Sequence, residues 1–308
     1  MTSTKPFAAI GLDVGGTKIA GGVVCFPEGV VRAQHTIPTR TARGGIAVLE
    51  DVERLARRLA TEAAALHIEV EALGLGLCEL VSPKGEIFSA NCVDWLGLPV
   101  RERLGAIAPT TLDADVRAAA RAEALFGAGM GFRQFLHITI GTGIASCLVL
   151  DGVPFTGARG ATGTMASSPV SVPCERCGHP NRRAIEQLAA GPALVARYNE
   201  LKPGAAAKSG QDVLAAVTAG DAAAIFVTQS AGEALGSAVG LLVNVLDPEA
   251  VIVGGGLGLS EGPFRDGFIA ATRRHIWSET HRGLPILRAA TGPNAGLIGA
   301  AAAAWAAK

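Results

Sequence analysis

Several kinds of protein are excluded by what this 308-residue sequence lacks. It has no net charge, 27 Lys plus Arg balancing 27 Asp plus Glu, and no long block of one sign. That argues against a nucleic-acid or anionic-membrane surface and for small neutral partners. It has no uninterrupted apolar run of the roughly 20 residues that span a bilayer. The longest, ALGSAVGLLVNVL and AGLIGAAAAAWAA, read as buried helices. The opening MTSTKPFAAIGLDV has no basic segment followed by a long apolar one, so no export signal is expected. Cysteine is sparse: four of the six (Cys25, Cys78, Cys92, Cys147) fall in or beside apolar strand-like runs, the pattern of reduced core thiols rather than of a disulfide framework. A cytoplasmic location, with no membrane and no nucleic acid as partner, is the expectation.

Nearly half of the residues are apolar, enough for two domains with separate cores. AAIGLDV and KIAGGVVCF read as strands on either side of Gly15-Gly16, a hairpin whose paired glycines accept positive φ. Its tip offers bare backbone N–H groups beside Thr17 and Lys18, which suits a phosphate; an ordinary Gly-Gly turn is the plainer alternative. In GGIAVLEDVERLARRLATEAAALHI, Val48, Val52, Leu55 and Leu59 keep the period of an amphipathic helix. Then follow a strand (ALGLGLCEL), a loop leading to a helix (NCVDWLGLPVRERLG), a short acid-ended strand (APTTLDAD) and an alanine-rich helix stopped by glycine. At Arg133 the pattern restarts: QFLHITI, the turn GTG, then IASCLVLDG. A duplicated α/β unit with its two glycine turns facing across a cleft is the simplest architecture. Long helices from about residue 183 to 245, a buried strand AVIVGGG and a C-terminal helix complete the chain.

These pieces, in order, resemble the ROK group of bacterial sugar kinases (repressor, open reading frame, kinase), within the actin-like ATPase superfamily. The resemblance rests on DxGGTK at 13–18, on the stretch from Asn91 through Trp95, Pro99 and Arg101 to Leu104, on LDAD at 112–115, GTG at 141–143, IVGGG at 252–256 and the terminal AGLIGA. It implies a ribonuclease H-like α/β fold, with 1–116 plus 293–308 as one domain and 117–292 as the other around a central cleft. It implies ATP and Mg²⁺: Asp13 ordering the metal, with Gly15, Gly16, Thr17, Lys18, Gly141, Thr142 and Gly143 on the phosphates and Gly254, Gly255 and Gly256 near the nucleoside. Asp113 falls on the family's catalytic aspartate, a base for the sugar hydroxyl; a helix N-cap is its alternative role. Asn91 matches a residue that bonds sugar hydroxyls, and Trp95 reads as packing. A homodimer is usual among similar proteins.

The acceptor side departs from the family. Thr164 and Ser167 stand where a Glu and a His grip a hexopyranose, Cys78-Glu79 replaces a Pro-Gly turn, and Leu112 and Asp115 replace asparagines. Glu79 and Asp115 thereby become candidate acceptor ligands, and an unusual sugar, amino sugar or cyclitol is expected in place of glucose. A catalytically silent sugar sensor is the alternative. A DNA-binding repressor is not expected, since about seven residues precede the first strand. The run GGGLGLSEG lacks dinucleotide-fingerprint spacing. The family's zinc motif has drifted to Cys174, Cys177 and His179, three candidates where a structural zinc takes four ligands, so a zinc site and a metal-free loop both stay open.

Overall fold

A computed structural model describes residues 7–173 and 177–308. In chain order the elements are β1 (Phe7–Val14), β2 (Lys18–Phe26), β3 (Val30–Pro38), α1 (Gly45–Ala65), β4 (Ala72–Leu77), α2 (Val100–Gly105), β5 (Thr110–Ala114), α3 (Asp115–Phe126), β6 (Gln134–Ile140), β7 (Ile144–Leu150), β8 (Val153–Pro154), β9 (Pro169–Pro173) and β10 (Pro180–Ala184). They continue with α4 (Glu186–Ala189), α5 (Gly191–Leu201), α6 (Gly210–Thr218), α7 (Ala222–Leu246), β11 (Ala250–Gly254), α8 (Pro263–His275), α9 (Glu279–Arg282), β12 (Ile286–Arg288) and α10 (Ala295–Ala306). Two compact units result, one of Met1–Arg133, Cys147–Thr162 and Ala290–Lys308, the other of Gln134–Ser146 and Gly163–Ala289. The boundary expected at 116 falls at the start of α3, which packs on α10 and so goes with the first unit.

The first unit holds a five-stranded sheet, order β3-β2-β1-β4-β5, in which β1–β4 and β4–β5 pair parallel and β1–β2 and β2–β3 pair antiparallel. Its central strands are apolar almost throughout because both faces are covered. Side chains alternate between faces, so Ile10, Leu12 and Val14 pack with α1 while Phe7 and Ala9 pack with α10. The stripe read from sequence is the one buried: Val48, Val52, Leu55 and Leu59 of α1 face the sheet, each contributing about 1.5–3 kcal/mol against exposure. Glycine in β1 and β4 has a packing cause. A Cβ on Gly11 would lie 1.9 Å from the Leu297 carbonyl oxygen and one on Gly74 1.8 Å from that of Ala300, so only glycine lets the α10 backbone rest on the sheet. Trp95 is fully buried, its indole N–H donating to the Gly45 carbonyl at 2.8 Å.

The second sheet has the order β12-β11-β6-β7-β8. In the second unit β12, β11 and β6 run parallel, and α7 and α8 pack closely together. Among the described residues α7 alone is long and apolar enough to cross a bilayer. Its Val227, Ala231, Leu235 and Val239 lie in the core of this unit, and Gly232 and Gly236 meet the α8 backbone. Those contacts account for the buried face of the helix, while Phe226, Leu241 and Val245 stay exposed.

Candidate functional site

The turn between β1 and β2 is pinned by the Gly15 N–H donating to the Lys18 carbonyl at 3.0 Å and by Thr39 Oγ1 donating to the Gly15 carbonyl at 2.6 Å. Gly16, Thr17 and Lys18 remain exposed. The expectation of positive φ is corrected: neither Gly15 nor Gly16 adopts it. Packing does not demand glycine either. A Cβ would lie 3.4 Å from the Lys18 carbonyl oxygen at position 15 and 3.5 Å from Cys92 Sγ at position 16, both ordinary contacts. Two adjacent glycines with no internal cause leave room for a body outside the chain, the use a closely approaching phosphate makes of glycine.

The second unit carries a turn of the same kind. Gly141 N–H donates to the Gly143 carbonyl at 2.9 Å, the Gly141 carbonyl accepts from Gly191 N–H at 2.8 Å, and Ile144 N–H donates to Glu186 Oε2 at 2.8 Å. Thr142 and Gly143 are exposed, and a Cβ on Gly141 would meet nothing within 4 Å. At the end of β11, Gly254 is buried beside His137 and Gly256 faces open space. Gly255 alone of the three has a torsional cause, φ +81°.

Asp13 lies near the end of β1, its carboxylate against the first turn of α10, where a Cβ on Gly296 would come within 2.2 Å of Oδ2. Burial raises its pKa to about 6, with the Lys18 ammonium opposing. Asp115 opens α3, its Oδ1 accepting from Val116 N–H at 2.6 Å. Burial first and the charge of Asp13 second lift its pKa to about 7, with Glu79 adding to the rise and the Val116 N–H and Arg117 opposing it. Two carboxylates close enough to repel cannot both ionise at ordinary cost. Such a pair holds a proton or welcomes a cation near neutrality.

Asp113 does not join them. Its side chain is 9% exposed and pairs with Arg117 and, at 3.7 Å, with Arg121. Arg117, itself 4% exposed, also donates to the Val81 carbonyl at 2.7 Å and the Gly160 carbonyl at 3.2 Å. The carboxylate read from the sequence as the base is thus ion-paired across the β5–α3 junction. Asp115, two residues later, is the acid that neighbours Asp13 and Glu79.

Glu79 is held by its own loop. Buried, it accepts from Ser89 Oγ, from Asn91 N–H at 2.8 Å, Cys92 N–H at 2.5 Å and Val93 N–H at 2.9 Å. Four donors occupy the lone-pair positions of one carboxylate, so in this arrangement it shapes the 89–93 loop, the Ser89 hydroxyl being the one side-chain donor among them. The loop leaves the Asn91 residue exposed. Cys78 and Cys92 are not core thiols. They are half-buried, hydrogen-bonded to one another, and beside Glu79 and Asp115.

In the second unit Thr164 and Ser167 are both exposed and share a tight turn, Ser167 Oγ donating to the Thr164 carbonyl at 2.7 Å. Of the zinc candidates, Cys174 lies outside the described residues, and Cys177 and His179 are exposed in the β9–β10 connection. Arg117, Arg121, Cys78 and Cys92 went unread as site residues. The two arginines had a signal, since they follow Asp113 by four and eight positions, the spacing of one helix face. The cysteines had none, being brought together by the loop that Glu79 folds.

The ROK family model matches residues 9–307. Glucokinase from Streptomyces coelicolor is 30% identical over 312 residues, 95% of this chain and 96% of that protein. Kanosamine kinase from Amycolatopsis mediterranei is 29% identical over 315 residues, 96% of this chain and 95% of that one. A solved structure of a ROK family glucokinase from Streptomyces griseus, in complex with glucose and AMPPNP, matches with a TM-score of 0.79 at 28% identity, covering 96% of this chain and 99% of that chain.

Proposed function

This chain belongs to the ROK family and is a carbohydrate kinase of actin-like ATPase fold, and we propose that it transfers the terminal phosphoryl group of ATP to a hydroxyl of an amino sugar or cyclitol, with Asp115, which stands where the family carries asparagine, serving as general base in place of the ion-paired Asp113. The observation that carries the reading is Asp115 itself: a half-buried carboxylate at a helix start, raised to about 7 beside Asp13. A base works best with a pKa near the working pH, and phosphoryl transfer otherwise needs positioning and charge neutralisation more than covalent chemistry. Each unit supplies one glycine turn suited to phosphate: Gly15, Gly16, Thr17 and Lys18 in the first, Gly141, Thr142 and Gly143 in the second. Gly254, Gly255 and Gly256 are assigned to the nucleoside. The hard oxygen donors of Asp13, in an acidic half-buried setting, fit Mg²⁺. When bound, that ion neutralises phosphate charge.

The acceptor class follows from the replaced contacts. With Thr164 and Ser167 in place of Glu and His, and Glu79 spent on its own loop, a hexose loses charge-assisted bonds worth roughly 1.5–3 kcal/mol each, or about 10- to 150-fold in affinity. Asn91 and Asp115 remain to orient a hydroxyl. The similarity to a kanosamine kinase supports an amino sugar among the candidates.

An ADP-release assay over hexoses, amino sugars and cyclitols, with wild type and Asp115→Asn, tests this. Turnover with an amino sugar or cyclitol, abolished by the substitution, is expected. Glucose turned over as efficiently as by a glucokinase removes the acceptor reading, and no turnover with any acceptor turns the protein into a sugar sensor. A homodimer and a cytoplasmic location belong to the same reading. Leu241 and Val245 on α7 and Trp277 beyond α8 expose apolar surface, and Trp277 N–H is bonded to Asn244 of α7, so Trp277→Glu is expected to shift a dimer to monomer in size-exclusion chromatography. Structural zinc on Cys174, Cys177 and His179 is removed if metal analysis finds less than one equivalent.

A further inference from the structure

We propose that Cys78 and Cys92 form a binding site for a soft, thiophilic cation such as Zn²⁺ or Cd²⁺, with a carboxylate oxygen of Glu79 completing a three-ligand set beside the β1–β2 turn. One ligand atom from each of these residues lies within 4.8 Å of the other two. Metal–sulfur bonds of about 2.3 Å place tetrahedral ligand atoms about 3.8 Å apart, so closure needs only a small inward movement. The positions are fixed from both sides. Cys78 N–H donates to the Val14 carbonyl at 3.1 Å, which holds it at the end of β4, and Cys92 N–H donates to Glu79 Oε1. Of the four donors on Glu79 only the Ser89 hydroxyl is a side chain free to rotate away, which opens one lone-pair position on Oε2 while the Asn91 N–H stays on that oxygen and the Cys92 and Val93 N–H groups stay on Oε1.

The surroundings favour a cation over the protons it would replace. The groups around the two sulfurs are Glu79 and Asp115, with Asp13 beyond, against the cations Lys18 and Arg117. With no metal, the hydrogen bond shared with Cys92 first, then burial and these acids, keep the Cys78 thiol protonated. Binding as a dithiolate forms two metal–sulfur bonds and releases two protons, so affinity rises with pH. Two thiolates select soft or borderline metals, whereas the oxygen donors of Asp13 suit Mg²⁺. Position gives the site a consequence. Cys92 Sγ lies 3.5 Å from where a side chain on Gly16 would begin, so an occupied site intrudes on the turn assigned to phosphate and inhibits phosphoryl transfer. The inhibition rests on the kinase reading; the metal site does not.

Cadmium is the probe, because its bonds to thiolate give an ultraviolet charge-transfer band. The reduced full-length chain carrying Cys174→Ser and Cys177→Ser, so that the other cysteine pair cannot compete, is titrated with CdCl₂. One equivalent bound, with about two protons released into weak buffer, is expected, and at least a tenfold loss of affinity when Cys78→Ser or Cys92→Ser is added. No band at one equivalent, or a band unchanged by both substitutions, overturns the site. Should either serine variant fail to fold, native alkylation of wild type decides the matter. Cadmium is expected to slow modification of Cys78 and Cys92 at least tenfold while leaving Cys25 unchanged, and equal rates with and without metal refute the proposal. If cadmium binds but ADP release is unaffected at saturation, the site stands and its inhibitory role falls.

Discussion

Asp113 and Asp115 are expected to respond to the same substitution with opposite changes in stability. Asp113→Asn leaves Arg117, 4% exposed, with only the carbonyl oxygens of Val81 and Gly160, and deprives Arg121 of its partner as well. Removing one member of a buried pair costs about 3–5 kcal/mol. Asp115→Asn instead removes a carboxylate whose pKa burial and Asp13 have raised. An acid raised in the folded state binds its proton more tightly there than in the unfolded chain. The stability this proton supplies is fully present below about pH 3.8 and is lost as pH climbs through about 7. A rise from 3.8 to about 7, at about 1.4 kcal/mol per pH unit, sets an upper bound of about 4 kcal/mol on what a neutral amide returns above that range. Asp115 is only half-buried, so solvent screening brings the expected gain to about 1–2 kcal/mol. At about 2–4 °C per kcal/mol for units of this size, Asp113→Asn is expected to melt on the order of 10 °C below wild type. Asp115→Asn is expected to melt a few degrees above wild type at about pH 8 and by a smaller margin at about pH 5, the difference vanishing only below about pH 3.8, where the acid is protonated in the unfolded chain as well. Calorimetry at the two pH values, paired with ADP release, makes the check. Asp115→Asn is expected to lose about 10²–10⁴ in turnover, while Asp113→Asn keeps activity below its own melting range. If Asp115→Asn melts lower than wild type at pH 8 and still turns over, or if Asp113→Asn loses turnover with its melting point unchanged, the base returns to position 113.

The same pair sets the pH profile: kcat/KM is expected to climb through two coupled steps near about 6 and about 7 and then level, and a flat profile between about pH 5 and 8 contradicts a base in this cluster. Gly16→Ala and Gly141→Ala are expected to leave stability unchanged or about 0.4–1 kcal/mol higher, since both positions have ordinary torsions and room for a Cβ, while raising the KM for ATP at least tenfold; an unchanged KM removes the phosphate assignment of that turn. Glu79→Gln puts an amide N–H₂ against backbone N–H groups of Asn91, Cys92 and Val93, at a cost of about 1–3 kcal/mol, and is expected to speed proteolysis within 89–93; a melting curve identical to wild type refutes the loop-shaping role.

The parts of the fold legible in the sequence were those written in local periodicity. The α1 stripe at Val48, Val52, Leu55 and Leu59 is buried as its spacing requires, and the β1–β2 hairpin closes at Gly15 and Lys18. Glycine was harder to read, because the residue has two physical uses and the sequence does not say which one applies. At Gly11 and Gly74 it is a neighbouring helix backbone that forbids a Cβ. At Gly16 and Gly141 neither torsion nor packing does, and that double absence makes the phosphate reading stronger than the positive-φ turn first expected.

The stretch LDAD at 112–115 shows where such reading stops. It offers two carboxylates, and the strand-to-helix boundary between Ala114 and Asp115 decides their roles. A residue at the end of β5 can reach the face of the first helical turns, and one that opens α3 sits at the mouth of that helix instead. What the sequence did contain was the charge pattern downstream. Four and eight residues past Asp113 come Arg117 and Arg121, and the same steps past Asp115 lead to Ala119 and Glu123. An acid with two cations at helical spacing reads as neutralised, and one with an alanine and a second acid there keeps its charge problem unsolved. A buried carboxylate left in that state is costly to the fold, and a cost carried at one position beside Asp13 is better explained by chemistry than by stability.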